Sequence, residues 1–203
     1  EGIGPLVLGV DPARGGKDKT GIIDRRGRRL GGIVCKRLDF GEDLMPVAGE
    51  IVRIVKDMRK QALPLKKIGI DTTGLGAGLY DRLREVLGES LVEGVNFSER
   101  ALETDKYANR RAEIWDRYRQ WFEDPAGVQV PDSDDFQGDA CAPIRGGANA
   151  THFKSNGQLI IESKDNIKKR IGFSPDMGGD AAALTFAIDF DQLNEADDKW
   201  DMD

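Results

Sequence analysis

The stretch LVLGVDPARGGKDKTGIIDRRGRRLGGIVCKRL, residues 6–38, decides the fold because it predicts three consecutive β-strands. Residues 6–11 form a short apolar run that ends in an acid, and residues 20–24 form a second run beyond a loop rich in glycine and lysine. The arginines and glycine at 25–28 make a turn into a third run, residues 30–38. The short connections predict an antiparallel three-strand meander.

The pattern of apolar residues changes after this meander. Between residues 42 and 61 apolar side chains recur at three- and four-residue steps, which predicts an amphipathic helix. A strand at 67–72, a helix at 79–87 and a strand at 91–97 follow. Three strands and then helix, strand, helix, strand is the order of an α/β, RNase H-like fold. We therefore predict a mixed five-stranded sheet, three antiparallel strands followed by parallel strands, flanked by helices.

The second half of the chain predicts additions to this sheet. Residues 109–122 form a helix whose aromatic spacing is typical of core packing rather than of a base-stacking surface. Residues 151–163 predict an extra β-hairpin that turns at Asn156 and Gly157. Ser174 as N-cap and Pro175 at the first helical position predict a last, buried helix. We divide the chain into one domain, residues 1–190, and an acidic C-terminal tail, residues 191–203.

The composition argues against several kinds of site and partner. Cys35 and Cys141 lie far apart without a CxxC spacing, and His152 is the single histidine, so neither a disulfide framework nor a Cys or His metal site is indicated. No apolar run approaches the roughly 20 residues of a membrane span, so we expect no membrane partner. The net charge of -6 argues against a basic nucleic-acid surface, but much of the acid lies in residues 189–203 and the rest is close to neutral.

Three aspartates are candidate metal ligands. Asp11 and Asp71 each end an apolar strand, and Asp180 lies near the start of the last buried helix, which can bring it to the same sheet edge. Converging carboxylates repel one another unless a cation neutralises them, so in the absence of metal we expect Asn at any of the three to leave the fold as stable or slightly more stable. Oxygen ligands without Cys or His favour Mg²⁺ or Mn²⁺, and two such ions cleave phosphodiesters. Each acid alone is equally explained as a turn or cap residue, and Asp176 is better explained as a first-turn acid than as a ligand.

Basic residues flank these acids on two segments. The first loop carries Arg14, Lys17 and Lys19, and a second strip before the last acids carries Lys164, Lys168, Lys169 and Arg170. Both are candidate contacts to a DNA backbone, with a solvated loop and an exposed helix face as the alternatives. Asn109, Arg110, Arg111 and Glu113 are interpreted as helix-start and salt-bridge residues, with support of the metal ligands as an alternative for Glu113.

Four segments resemble the nuclease domain of tailed-phage large terminases: GVDPARGGKDKT, IGIDTTGLGAGLYDRL, NRRAEIW and KDNIKKRIGFSPDMGGDAAALTFA. The resemblance runs roughly over residues 6–190. It implies an RNase H-like endonuclease that uses two Mg²⁺ or Mn²⁺ ions to cut concatemeric double-stranded viral DNA during packaging. The family's three catalytic, metal-binding acids correspond to Asp11, Asp71 and Asp180.

One departure concerns the last acids. The family usually places its two C-terminal acids three residues apart or closer, whereas Asp176 and Asp180 are four apart. The third ligand therefore stays open between these two residues, with Asp176 the less favoured.

The resemblance also implies partners that this sequence does not contain. Large terminases carry an N-terminal ATPase domain, and no GxxxxGK[ST] phosphate-binding motif is present here. We expect an excised domain whose intact protein works with the ATPase domain, the small terminase subunit and the portal in the cytoplasm of the bacterial host.

Three other interpretations stay open. A Holliday-junction resolvase or an RNase H would share the acids and the fold but cut a different nucleic acid. An ATP-binding domain of the actin and sugar-kinase type also begins with a strand, an Asp and a glycine-rich loop, but it needs a second phosphate hairpin for which this chain has little room. A non-catalytic packaging module that docks other components would cut nothing.

Overall fold

A five-stranded mixed sheet forms the centre of the molecule. The computed structural model describes residues 4–13, 18–74, 76–143 and 153–189, together with Leu193. The strands are β1 (Leu6–Asp11), β2 (Thr20–Arg26), β3 (Arg29–Leu38), β4 (Leu65–Asp71) and β5 (Val92–Val95). Their order is β3-β2-β1-β4-β5, with β1, β2 and β3 antiparallel and β1, β4 and β5 parallel. This confirms the predicted meander followed by parallel strands.

The register of the sheet brings two of the candidate acids to one edge. β1 and β4 are parallel neighbours, and Val10 is paired with Ile70. Asp11 and Asp71, the next residues, therefore end adjacent strands at the same edge. On the other side of β1, Asp11 pairs with Gly21 of β2.

Helices cover both faces of the sheet. They are α1 (Leu44–Lys60), α2 (Gly76–Leu87), α3 (Arg110–Phe122), α4 (Asp134–Ala140) and α5 (Lys164–Ile171), and a final element follows them. Helix α4 is not among the sequence-based predictions, and α5 is there only as the alternative of an exposed helix face, because seven or eight residues give too few turns for a clear apolar period. None of the helices in the described ranges combines the length and apolar character of a membrane span.

Two apolar cores stabilise this arrangement, one on each face. On the first face, side chains of β1 such as Leu8 pack with Ile51 of α1 and Leu83 of α2. On the second face, Ile114 and Tyr118 of α3 pack with alanines of the final element. Most of the aromatic side chains of α3 thus serve core packing, as predicted, whereas Phe122 is exposed.

The final element differs from the predicted α-helix. It is a π-helical turn, Asp176–Ala181, followed by a short α6, Ala182–Leu184. Ser174 is not its N-cap: Pro175 holds that position without a side-chain cap, and its carbonyl accepts the Asp180 N–H at 2.8 Å. The prediction was wrong because a proline and two glycines in the turn permit the wider π spacing.

Two glycines of the sheet let this turn approach closely. A Cβ on Gly9 of β1 would overlap the carbonyl of Ala181, and one on Gly21 of β2 would lie 2.7 Å from the Asp176 carbonyl carbon. The turn therefore rests directly on the backbone of β1 and β2. This contact brings Asp180 to the sheet edge that carries Asp11.

The predicted hairpin is reduced to a turn. Within the described part, residues 153–163, the segment has one antiparallel bridge, Phe153 to Leu159, around Asn156 and Gly157. Leu159 instead pairs with the segment before α3, donating to the Lys106 carbonyl and accepting from the Ala108 N–H. Residues 151 and 152, and the acidic tail apart from Leu193, lie outside the described residues.

Candidate functional site

Asp11 and Asp71 form the sheet side of the site. Asp11 is 4% exposed and Asp71 is 6% exposed, and each is the last residue of its strand. One oxygen of Asp71 accepts the Thr73 N–H at 2.9 Å, which orients the carboxylate within its own turn. The sheet thus places both acids at one edge, and a backbone N–H orients the carboxylate of Asp71.

Asp180 approaches from the π-helical turn and is fully buried. Its Oδ1 accepts hydrogen bonds from Trp115 Nε1 at 2.7 Å and from Arg111 Nε at 3.1 Å. Arg111 Nη2 lies 3.4 Å from the other oxygen, Oδ2. Helix α3 therefore holds this carboxylate in place.

Lys164 joins the two sides of the site. Its ammonium lies 2.8 Å and 3.1 Å from the two oxygens of Asp11 and 3.2 Å from Oδ2 of Asp180. The side chain projects from the first residue of α5, and about a third of it (34%) is exposed. An ammonium group thus occupies the space between two carboxylates that otherwise repel each other.

The charges of the site act on one another. Burial raises the pKa of Asp11 to about 7 although Lys164 opposes the rise, and the nearby carboxylates of Asp180 and Asp71 add to it. Burial also raises the pKa of Asp71. Burial alone would raise the pKa of Asp180, but the charges of Arg111 and Lys164 hold it below its usual range. Asp180 is therefore the most firmly ionised of the three acids, because its cationic neighbours outweigh its burial.

The donor set fits a hard divalent cation, with Lys164 in the position of a substitute cation. Three carboxylates whose charges act on one another, without Cys or His, suit Mg²⁺ or Mn²⁺. Within the described residues no three Asp, Glu, His or Cys side chains are already close enough to share one ion. Because the Lys164 ammonium lies between Asp11 and Asp180, a metal ion held by both carboxylates would require Lys164 to withdraw.

Asp176 belongs to a different cluster. Its Oδ1 accepts from Arg37 Nε at 2.5 Å, while Arg37 Nη2 contacts buried Asp139 at 2.7 Å and Nη1 contacts Asp135 at 2.8 Å. Asp139 also accepts the Gly178 N–H at 2.9 Å. Asp176 thus links the π-helical turn to α4 and β3, and Asp180 is the acid of this turn that contacts Lys164.

Of the candidate DNA contacts, some are paired with acidic side chains and Lys169 is exposed. Arg14 and Lys17 lie outside the described residues, and Lys19 is paired loosely with Asp39 at 3.9 Å. On α5, Lys168 contacts Asp18 at 2.6 Å, Lys169 is exposed, and Arg170 is paired with Glu162 at 2.6 Å. Their role in DNA binding stays a prediction.

Sequence reasoning missed three residues of the site. Lys164 was grouped with the basic strip, and Arg111 and Trp115 were interpreted as salt-bridge and packing residues. One signal for Lys164 exists: a lysine at the first position of a helix opposes the helix dipole, and the remaining bases of α5 lie in its last turn. Glu113 is fully buried but contacts Leu102 N, Arg110 and Arg117, so it stabilises the start of α3.

Comparison with known proteins gives matches in structure. No protein-family model and no curated protein matches the sequence. The chain is similar to solved structures of the nuclease domain of the large terminase subunit gp2 of bacterial virus Sf6. The domain itself has a TM-score of 0.70 at 16% identity, covering 93% of this chain and 90% of that one. A lysine-to-alanine mutant of that domain with manganese and beta-thujaplicinol has a TM-score of 0.71 at 16% identity, covering 93% of this chain and 90% of that one. The mutant with calcium has a TM-score of 0.70 at 16% identity, covering 93% of this chain and 91% of that one. This chain therefore has the fold of a large terminase nuclease domain.

Proposed function

We propose that this chain is a metal-dependent endonuclease that hydrolyses phosphodiester bonds of double-stranded DNA. Asp11, Asp71 and Asp180 would be the catalytic acids and would hold two Mg²⁺ or Mn²⁺ ions. The observation that carries the proposal is the Lys164 ammonium bound between Asp11 and Asp180, which marks a position that requires positive charge. The shared fold with solved terminase nuclease domains, some of them with manganese, supports the same reaction.

The metal ions, when bound, would activate water and stabilise the leaving oxygen. The chain's own residues have three tasks beside them. Asp11 and Asp71 present carboxylates from adjacent rigid strands, and Asp180 supplies a third that is held ionised. Lys164, once withdrawn from these carboxylates, would be available to contact a phosphate oxygen and neutralise part of its charge.

The biological setting that we propose follows the terminase comparison. The substrate would be concatemeric viral DNA, cut during packaging in the bacterial host cytoplasm. An ATPase domain, the small terminase subunit and the portal would act with this domain. The net charge of -6 predicts that the chain alone binds DNA weakly and loses affinity steeply with salt, as a few basic contacts would.

Plasmid cleavage by the purified chain tests the proposal. We expect nicking and linearisation of supercoiled DNA in Mn²⁺ or Mg²⁺ and none in EDTA. Calcium should bind without turnover because its looser coordination positions water poorly. Asp71→Asn should abolish cleavage, whereas Asp81→Asn, an exposed aspartate on α2, should not. Full activity in EDTA contradicts the metal mechanism.

The remaining alternatives give different results in the same assay. An RNase H prefers an RNA–DNA hybrid, and a resolvase prefers a four-way junction over linear duplex. A docking module without catalytic activity cleaves none of these substrates at any metal concentration.

A further inference from the structure

Asp180 is held by more hydrogen-bond donors than either of the other two acids of the site. Arg111 and Trp115 lie four residues apart, so they project from the same face of α3, and both reach the Asp180 carboxylate. Arg111 is 7% exposed and Trp115 is 5% exposed. These contacts are therefore shielded from solvent, and water cannot easily replace them.

The arrangement orients the carboxylate as well as neutralising it. Oδ1 receives two hydrogen bonds from α3, whereas Oδ2 has a long 3.4 Å contact with Arg111 and faces the Lys164 ammonium at 3.2 Å. One oxygen is thus committed to the protein, and the other is directed to the position that a cation would take.

Arg111 also ties Asp180 to the segment that carries Lys164. Its Nη1 donates to the Glu162 carbonyl at 2.6 Å, two residues before Lys164. The Arg111 guanidinium therefore links the Asp180 carboxylate to the backbone just before Lys164. A buried ion pair adds little net stability compared with an apolar pair, so stability alone does not account for such a contact.

We propose that Arg111 and Trp115 are positioning residues that hold Asp180 with Oδ2 directed at the bound metal ion. This inference rests on the proposed function, because it assumes that Asp180 is a ligand. Groups that orient a metal ligand through its second oxygen change metal affinity about 10- to 100-fold when they are replaced. Replacing these residues should therefore change the affinity for the metal ion and not the affinity for DNA.

Metal affinity of the DNA-free chain is the decisive measurement. Trp115→Phe keeps an aromatic ring against Tyr118 but removes the indole N–H donor. Arg111→Lys keeps the positive charge but loses the planar set of guanidinium N–H donors. We expect each to weaken Mn²⁺ binding about tenfold in calorimetry and to regain cleavage at high Mn²⁺. Trp121→Phe is the matched control, because that indole donates to the Gly27 carbonyl at 3.3 Å.

A spectroscopic readout separates positioning from folding. In the wild-type chain the indole N–H resonance of Trp115, assigned with the Trp115→Phe variant, should shift during a Mg²⁺ titration, while that of Trp121 stays in place. Wild-type Mn²⁺ affinity in both Trp115→Phe and Arg111→Lys overturns this inference and leaves the proposed function intact. A wild-type chain that binds no Mn²⁺ overturns the proposed function, and the inference with it.

Discussion

Lys164 Nζ lies 2.8 Å from Asp11 Oδ1, although 153 residues separate the two in the sequence. The contact joins the start of α5 to the end of β1. Burial tends to lower the pKa of Lys164, but the charges of Asp11 and Asp180 outweigh that effect and hold it above its usual range. The ammonium therefore stays charged and supplies the positive charge between the Asp11 and Asp180 carboxylates.

Removing this ammonium should make the chain depend more on metal. We expect Lys164→Met to lower the metal-free stability by about 1–2 kcal/mol, because Asp11 and Asp180 then lack a shared counter-charge. Mn²⁺ should raise the melting temperature of this variant more than that of the wild type. Thermal melts with EDTA and with Mn²⁺ measure both effects. Lys169→Met, an exposed change on the same helix, is the control, and equal Mn²⁺ shifts in all three proteins contradict the prediction.

Asn substitutions at two acids should have opposite effects on metal-free stability. Asp11→Asn should leave the unfolding free energy unchanged or higher, because burial raises the pKa of Asp11 and penalises its charge. Asp180→Asn should lower it by about 2–3 kcal/mol, because Arg111 stays buried without its counter-charge. Urea denaturation in EDTA distinguishes them. Both variants should lose cleavage, and equal stabilities would show that Arg111 does not stabilise Asp180.

Asp176 should matter for stability and little for cleavage. Asp176→Asn removes one of the three carboxylates that Arg37 contacts, and with it a charge-assisted hydrogen bond, so we expect a loss of about 1–3 kcal/mol. The cleavage rate at saturating Mn²⁺ should stay near that of the wild type, since Asp176 contacts Arg37 rather than Lys164. Asp180→Asn, by contrast, should lower the rate by orders of magnitude. The assignment of the third ligand fails if Asp176→Asn is inactive and Asp180→Asn cuts normally.

Gly9→Ala should disrupt the contact between β1 and the π-helical turn. The new methyl group overlaps the Ala181 carbonyl, so the turn must move, at a cost of about 2–3 kcal/mol. Cleavage should fall as well, because Asp180 precedes Ala181 in the turn and would move with it. Gly49→Ala is the matched control: it lies in the exposed face of α1 with free space around it, and alanine should stabilise the helix by up to about 1 kcal/mol. Denaturation midpoints compare the two, and equal midpoints refute the close approach.

The Asp139 carboxyl should make stability fall with rising pH. Burial, and then the charge of Asp176, raises the pKa of Asp139 to about 7. The folded state therefore binds the proton of the Asp139 carboxyl more tightly than the unfolded state, in which aspartates have a pKa of about 3.9. The stabilisation is complete below that value and is lost as the pH rises through about 7. Relative to Asp139→Asn, the wild type should lose on the order of 2–4 kcal/mol of unfolding free energy as the pH rises through this range. Urea denaturation at several pH values tests it, and parallel pH profiles contradict it.

The local patterns of the sequence predicted the sheet and two of the three acids. Strands β1 and β4 are buried apolar runs that end in Asp11 and Asp71, so both the element and the position of the acid follow from a few consecutive residues. The parallel pairing of these strands follows from the order of the elements. These features depend on short-range information, which a single sequence contains.

The rest of the site depends on packing between distant segments. Lys164 reaches Asp11 only because α5 begins beside β1, and Arg111 reaches Asp180 across 69 residues. No period or motif of the sequence encodes such contacts. Trp115 was correctly predicted to be buried, but its indole N–H needs a partner in the core, and that requirement does not identify which residue provides it.

The π-helical turn has a consequence for how relatives of this chain should be aligned. A π turn holds one more residue than an α turn, so an insertion there changes the spacing between two acids without moving the second one. Here Gly178 and Gly179 fill the turn against Phe136 and Pro175, where a Cβ has no room. The four-residue spacing of Asp176 and Asp180 is therefore compatible with an unchanged third ligand. If Asp180 is the third ligand, as proposed, an alignment anchored on the small residues that contact β1 and α4, with a one-residue gap allowed before the acid, should match equivalent carboxylates. An alignment that forces a fixed spacing between the acids should then pair Asp180 with a different position.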